Sequence, residues 1–167
     1  MCSSDLGFVV RDAVPGDAAG LCDILNAIVR AGGTTARLVE MTVLAFEDWY
    51  ISGGHVIGCQ VAVQRQVLLG FQGLARHAEL PPDWCDIGTF ARRENPVRGV
   101  GAALFAASTV QARALGFRVI NATIRADNVP GLAYYAKMGF RDYKVDRDVA
   151  LADGRLVDRI NRRFDLA

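Results

Sequence analysis

The sequence predicts an α/β fold of the α+β kind: a mixed, mostly antiparallel twisted sheet of about seven strands with four helices packed on it. Three observations predict it. Apolar residues recur at helical spacing in a few segments, short β-branched runs lie between them, and glycine, proline and asparagine punctuate the boundaries. The order that emerges is β-α-α-β-β-β-α-β-α-β-β, and 167 residues are most simply one domain, residues 1–167, able to bury its own core.

Each element has a local cause. FVVRDA (8–13) reads as a strand, and Pro15-Gly16-Asp17 breaks it, with Asp17 as the expected cap of a helix through about Arg30. Leu21, Ile24, Leu25 and Ile28 make one buried stripe along that helix. AGGTTA (31–36) is a loop able to cover a binding site. A second helix is expected over 42–51, capped by Thr42 and stopped by Ser52-Gly53-Gly54. The runs 55–64 and 66–76 read as antiparallel strands joined tightly near Arg65, and DWCDIGTFAR (83–92) as a third strand after Pro81-Pro82.

The later elements follow the same logic. A helix from about Val100 to Leu115 is predicted to bury Val100, Ala103, Leu104, Ala107, Val110 and Ala114, with Gly116 as its stop. RVINATI (118–124) is a strand. Asn128 caps a helix through Met138, with Pro130 in its first turn and Gly139-Phe140 closing it. Strands over about 140–149 and 155–164 flank Ala152-Asp153-Gly154, a hairpin signal.

Composition narrows the function. With 51% hydrophobic residues, 22% charged and a net charge of +1, there is no electrostatic case for nucleic acid. Basic and acidic residues alternate over 141–165, the pattern of solvated strand faces. Cys2, Cys22, Cys59 and Cys85 form no CxxC pair, and only His55 and His77 could join them, so neither a disulfide framework nor a metal site is expected. Cys22 and Cys59 read as small buried hydrophobes. The first ten residues lack a basic n-region and no apolar run approaches about 20 residues, so the expectation is a cytoplasmic protein without membrane partners.

The informative stretch is NPVRGVGAALF (95–105), in which a glycine turn leads from a strand into a helix. Such a helix start leaves several N–H groups unpaired with the positive end of the helix dipole behind them, an anion site. Glycine at 99 and 101 would let the main chain approach a phosphate, and Arg98 adds charge; tight helix-to-sheet packing is the competing reason for the same glycines. Neither GxGxxG nor GxxxxGK[ST] is present.

One strand later comes ADNVPGLAYYAKMGF (126–140). Together the two segments resemble the GNAT acetyltransferase superfamily, marked by [QR]-x-x-G-x-[GA] and then by an Asn-capped helix ending in Tyr-x-x-x-Gly-Phe. Here the first reads Pro96-Val97-Arg98-Gly99-Val100-Gly101, with Pro96 where the family has Gln or Arg; the second has Asn128, Tyr135, Gly139 and Phe140 in register. Within the family, ILNAIV, the Thr-rich loop and ADGRLVD are most similar to the phosphinothricin acetyltransferase-like branch, which acetylates the amine of small amino-acid-like compounds, although the Thr-Phe-Glu run expected at 37–39 is missing.

The resemblance implies acetyl-coenzyme A as co-substrate, held by Phe90, Ala91, Arg98, Gly99, Val100, Gly101, Ala102, Ala103, Asn128 and Tyr135. It also implies that a β-strand amide at Phe90 or Ala91 receives the carbonyl oxygen and that Tyr135, rather than Tyr134, protonates the leaving thiolate. The acceptor amine is mostly charged at neutral pH, its pKa being about 10, so a base must take its proton. Asp86, on the same strand face as Gly88 and Phe90, is the candidate; Glu94, His55 and His77 read as solvated or structural. Thr34, Thr35 and Trp84 are candidate substrate contacts. The expected partner is a small-molecule amine, with acetylation of protein or peptide amines, non-catalytic acyl-coenzyme A binding, or an interaction module without a ligand as alternatives. The apolar final hairpin with Phe164 is a candidate homodimer seam.

Overall fold

The computed structural model describes residues 7–166, so Cys2 lies outside them. Its elements are β1 (Val9–Asp12), α1 (Ala18–Ala31), α2 (Val43–Glu47), β2 (Val56–Gln64), β3 (Val67–Ala75), β4 (Trp84–Ala91), α3 (Val100–Ala114), β5 (Val119–Arg125), α4 (Val129–Lys137), β6 (Arg141–Ala150) and β7 (Leu156–Asp165). This is the order expected from the sequence. The seven strands form one sheet in the order β1-β2-β3-β4-β5-β7-β6. All neighbours are antiparallel except β4 and β5.

Local chemistry explains most boundaries. Thr42 caps α2 by accepting from the Ala45 amide at 3.2 Å, and Asn128 caps α4 by accepting from Gly131 at 3.0 Å. The β2–β3 turn puts Arg65 and Gln66 at φ 49° and 68°, the left-handed pair that a two-residue hairpin demands. Asp17 departs from expectation. Its carboxylate takes both Arg11 Nη atoms, at 2.8 and 2.9 Å, and the Val14 amide at 2.8 Å, which leaves nothing to cap α1. α2 is also shorter than expected and continues as a π-helical turn, Asp48–Ser52.

Helices cover the sheet unequally. On one face α1 and Phe46 pack on Cys59, Val61 and Phe71. On the other, α3 and α4 pack on Cys85, Ile87, Ile120, Ala122 and Ile124 through Phe105, Ala112 and Tyr135. The rotation of α3 differs from the predicted stripe: Val100 and Leu104 are buried, but Val110 and Ala114 are exposed, and Phe105, Ser108, Thr109 and Ala112 take the inner face instead. An alanine-rich helix is apolar on most sides, so periodicity alone does not fix which side turns inward.

The cysteines are packing residues. Cys22, Cys59 and Cys85 are all buried, and loss of hydration pushes the Cys59 and Cys85 thiols up to about 12. The β6–β7 hairpin is paired by its backbone ladder and carries exposed cross-strand charge pairs such as Arg141–Asp165 (2.9 Å) and Arg147–Asp158 (3.1 Å) on its surface. Phe164 is half-buried and packs against the core, its ring 5.0 Å from Phe105 and 5.5 Å from Phe140.

Candidate active site

The site begins with a break in the sheet. β4 and β5 pair only at Trp84–Val119, Cys85–Ile120 and Asp86–Asn121. β4 then runs on to Ala91 and β5 to Arg125, so the two strands part and leave a gap between them. Which amides face that gap follows from the register with β3. The Arg92 amide donates to Leu69 O at 2.8 Å, and the antiparallel ladder alternates without a bulge from there. Phe90 N–H therefore belongs to Phe71, whereas the Thr89 and Ala91 N–H groups point into the gap. Of the two amides expected to receive a carbonyl oxygen, Ala91 has the right direction and Phe90 does not.

α3 starts at the mouth of the gap. Gly99 is its N-cap at φ 88°, a left-handed turn that disfavours a side chain. Ala103 N–H already donates to Gly99 O at 3.0 Å, so that amide is engaged. Among the described residues the amides of Val100, Gly101 and Ala102 have no protein acceptor, and exposed Arg98 stands beside them. A diphosphate fits these donors. At Gly101 a Cβ would lie 2.7 Å from a ring carbon of Tyr134, so close packing, the competing reason for this glycine, applies here through a phenol of α4.

The two tyrosines of α4 are distinguished by burial and partners. Tyr135 is 7% exposed and its hydroxyl lies 2.9 Å from Thr89 Oγ1. Burial pushes its pKa above the ordinary phenol value, opposed in part by the Thr89 hydrogen bond, so it stays protonated at neutral pH. Tyr134 donates to Gly101 O at 2.8 Å and receives a hydrogen bond from Gln72 at 3.1 Å. Gln72 and Thr89 were not legible as site residues, though a lone glutamine in the apolar run VLLGFQGLA was a signal.

Asp86 sits where the strands part, on the opposite sheet face from Thr89 and Tyr135. Its Oδ1 accepts from Asn121 Nδ2 at 2.8 Å. Loss of hydration raises its pKa, and the Asn121 bond offsets part of that rise. Asn121 also accepts from the Tyr143 hydroxyl. Beyond it a polar row continues through Thr123, Asn161 and Asp146, with Thr123 donating to Asn161 at 2.8 Å and Asn161 to Asp146 at 2.8 Å. Trp84 shares this face, with its ring 5.5 Å from that of Tyr143 and the Arg163 guanidinium 4.8 Å above it.

The loop after α1 is tied to the end of β5. Asn128 Nδ2 donates to Thr34 O at 3.0 Å, and Arg125, 4% exposed, donates to Thr35 O at 2.9 Å while its other nitrogens clasp Asp127. Thr35 Oγ1 is used by the Arg37 amide at 3.2 Å; Thr34 Oγ1 is buried without a partner. His55 Nε2 contacts Trp49 O and His77 accepts from the Glu79 amide, each a local structural bond. A separate hollow of about 650 Å³ lies beside α1, lined by Asp23, Ile24, Leu68, Arg92, Arg93 and Glu94, and holds none of these groups.

The model described as the Acetyltransferase (GNAT) family matches residues 23–140, more than half of the chain. The chain belongs to the GNAT family. An N-acetyltransferase from Staphylococcus aureus Mu50 superposes with a TM-score of 0.85 over 96% of this chain and 99% of that one, at 18% identity. A GNAT superfamily phosphinothricin acetyltransferase from Sinorhizobium meliloti, solved in complex with AcCoA, gives 0.82 over 96% and 89%, at 20% identity. These two likenesses show the fold. A mycothiol acetyltransferase of Actinosynnema mirum is 30% identical over 105 residues, 63% of this chain, and this GNAT chain spans about a third (34%) of that protein's length. Among the described residues no helix is long and apolar enough to cross a membrane, and no group of three or more metal-ligating side chains occurs.

Proposed function

We propose that this chain transfers the acetyl group of acetyl-coenzyme A to the primary amine of a small, amino-acid-like molecule by direct attack. One observation carries the reading: the gap between β4 and β5 has the unpaired α3 amides and the Tyr135 phenol on one face and the Asp86 carboxylate on the other. The two reactants would enter from opposite sides of the sheet and meet where the strands part.

Val100, Gly101 and Ala102 would hold the diphosphate with their N–H groups, and the mobile acyl end would lie along β4. Acetyl-coenzyme A supplies, when bound, an electrophilic thioester carbonyl and a thiolate leaving group. Ala91 N–H, with Thr89 N–H beside it, is directed to stabilise negative charge on the carbonyl oxygen. Asp86, ionised, would receive the acceptor's ammonium and take one proton directly or through water; the C–N bond then forms as C–S breaks, and the nitrogen sheds its second proton to solvent as the amide forms. Tyr135 donates its hydroxyl proton to the sulfur and regains one from solvent. A thiol's ordinary pKa of about 8.5 lies below that of a phenol, but burial in the gap raises both.

The polar row from Asp86 to Asp146 suits an acceptor with several hydrogen-bonding groups, and the acids favour a cationic one. The test is a panel of amino acids, amino sugars, polyamines and short peptides assayed for coenzyme A release. Acetylation of a small amine, lost at low pH as Asp86 protonates, supports the proposal. Coenzyme A binding without transfer to any member of the panel would sink it.

A further inference from the structure

The Tyr135 hydroxyl ends a chain of hydrogen bonds whose direction is fixed at its other end. Gly101 O is a carbonyl and can only accept, so the Tyr134 hydroxyl hydrogen, 2.8 Å away, goes to it. The Tyr134 oxygen must then accept from Gln72, at 3.1 Å, which identifies the nearby Gln72 atom as nitrogen. Nε2 has one hydrogen left, and it goes to Thr89 Oγ1 at 2.9 Å. Thr89 Oγ1, having accepted from Gln72, stands 2.9 Å from the Tyr135 oxygen, a contact in which either hydroxyl can be the donor. Where Thr89 is the donor in that contact, Tyr135 receives a hydrogen bond and keeps its own hydrogen for a ligand.

We propose that Gln72 and Thr89 are positioning residues that aim the Tyr135 proton away from the protein and toward the reacting sulfur. This rests on the acyl-transfer reading above. Without the relay, Tyr135 in its buried site would turn its hydrogen toward Thr89, the nearest oxygen, and would have none to give. Gln72 is 0% exposed and its Oε1 has no donor, a costly arrangement for a buried carbonyl. An apolar side chain would avoid that cost, and what it could not supply is the pair of N–H bonds that sets the polarity. The relay also links the phenol to the turn at Gly101, so seating of the diphosphate and orientation of the proton are physically connected.

Four variants test it by steady-state kinetics, with melting temperature as the folding control. Thr89→Val is expected to lower kcat about 10- to 100-fold, within the range of a general-acid contribution, with the KM for acetyl-coenzyme A within about twofold. Thr89→Ser, which retains the hydroxyl, is expected to stay within about threefold of the parent. Gln72→Glu is isosteric but only accepts when ionised, so it reverses the chain and is expected to lower kcat similarly even if Thr89→Val folds poorly. In a Tyr135→Phe background neither Thr89→Val nor Gln72→Glu should cost more than about twofold further, because both act through the phenol. If Tyr135→Phe alone leaves kcat unchanged, the acyl-transfer role of Tyr135 is wrong. If it slows turnover while Thr89→Val and Gln72→Glu do not, or if these two still slow the Tyr135→Phe enzyme tenfold, the relay is wrong and the role of Tyr135 stands.

Discussion

The two halves of the sheet are built on different physics. From β2 to β4 both faces are covered, and the strands carry fully buried side chains such as Val61, Phe71 and Leu74. In the β6–β7 hairpin almost every residue of β6 is exposed, and its register is marked by charge pairs rather than by an apolar face. Covered β-structure gains free energy from removal of apolar area from water, whereas exposed ion pairs contribute about 0–1 kcal/mol each. The gap between β4 and β5 lies on the way from one regime to the other, with buried β5 as its far wall. A packed apolar wall on one side and a hydrogen-bonded polar row on the other is what a bisubstrate site needs, since one reactant must be gripped in fixed geometry and the other must be recognised and released.

That contrast can be broken from either side. Phe71→Ala, in the covered half, is expected to lower unfolding free energy by about 3–5 kcal/mol through cavity formation; a urea titration reads it, and a loss under 1 kcal/mol would mean the core is not what holds β3. At the junction, Asp86→Asn should lower kcat/KM about 100-fold yet leave the fold as stable or more so. The sign follows from its raised pKa: the folded state favours protonated Asp86, so its ionisation weakens the fold as pH rises from the unfolded value through the folded one. The same variant is expected to remove the acid limb of the kcat/KM profile, which in the parent falls above the ordinary carboxylate value. A limb unchanged in Asp86→Asn assigns the base elsewhere.

Smaller effects sharpen the comparison. Gly101→Ala puts a carbon 2.7 Å from the Tyr134 ring and is expected to cost about 1–3 kcal/mol by overpacking, with a raised KM for acetyl-coenzyme A. Asn128→Ala removes the α4 cap and the tie to Thr34, for about 1 kcal/mol. Arg147→Ala, in the exposed hairpin, should change thermal stability by no more than about 0.5 kcal/mol; a larger loss would show that the ion pairs carry more of the fold than their exposure allows.

The sequence made the architecture readable because nearly every boundary carries a local signal. Thr42, Asn128, Gly116 and Gly139 act through their own backbone neighbourhood, and local causes survive without knowledge of the fold. Where the cause is remote, legibility ended. Asp17 was drawn from its capping role by Arg11 across a turn, and α3 rotated because the sheet, not its alanines, selects the inner face. Phe90 and Ala91 look alike in sequence, yet a one-residue step in a ladder reverses the direction of an amide. Gln72 and Thr89 sit 17 residues apart on adjacent strands, and only their register brings them to the phenol.

The account stands most directly on where the acyl carrier lies. Backbone amide shifts of ¹⁵N-labelled protein titrated with coenzyme A measure this. The largest changes are expected at Ala91 and at Val100, Gly101 and Ala102, smaller ones at Thr89 and Tyr135, and none along β6. Changes centred instead on the hollow beside α1, with the α3 amides unmoved, would contradict it.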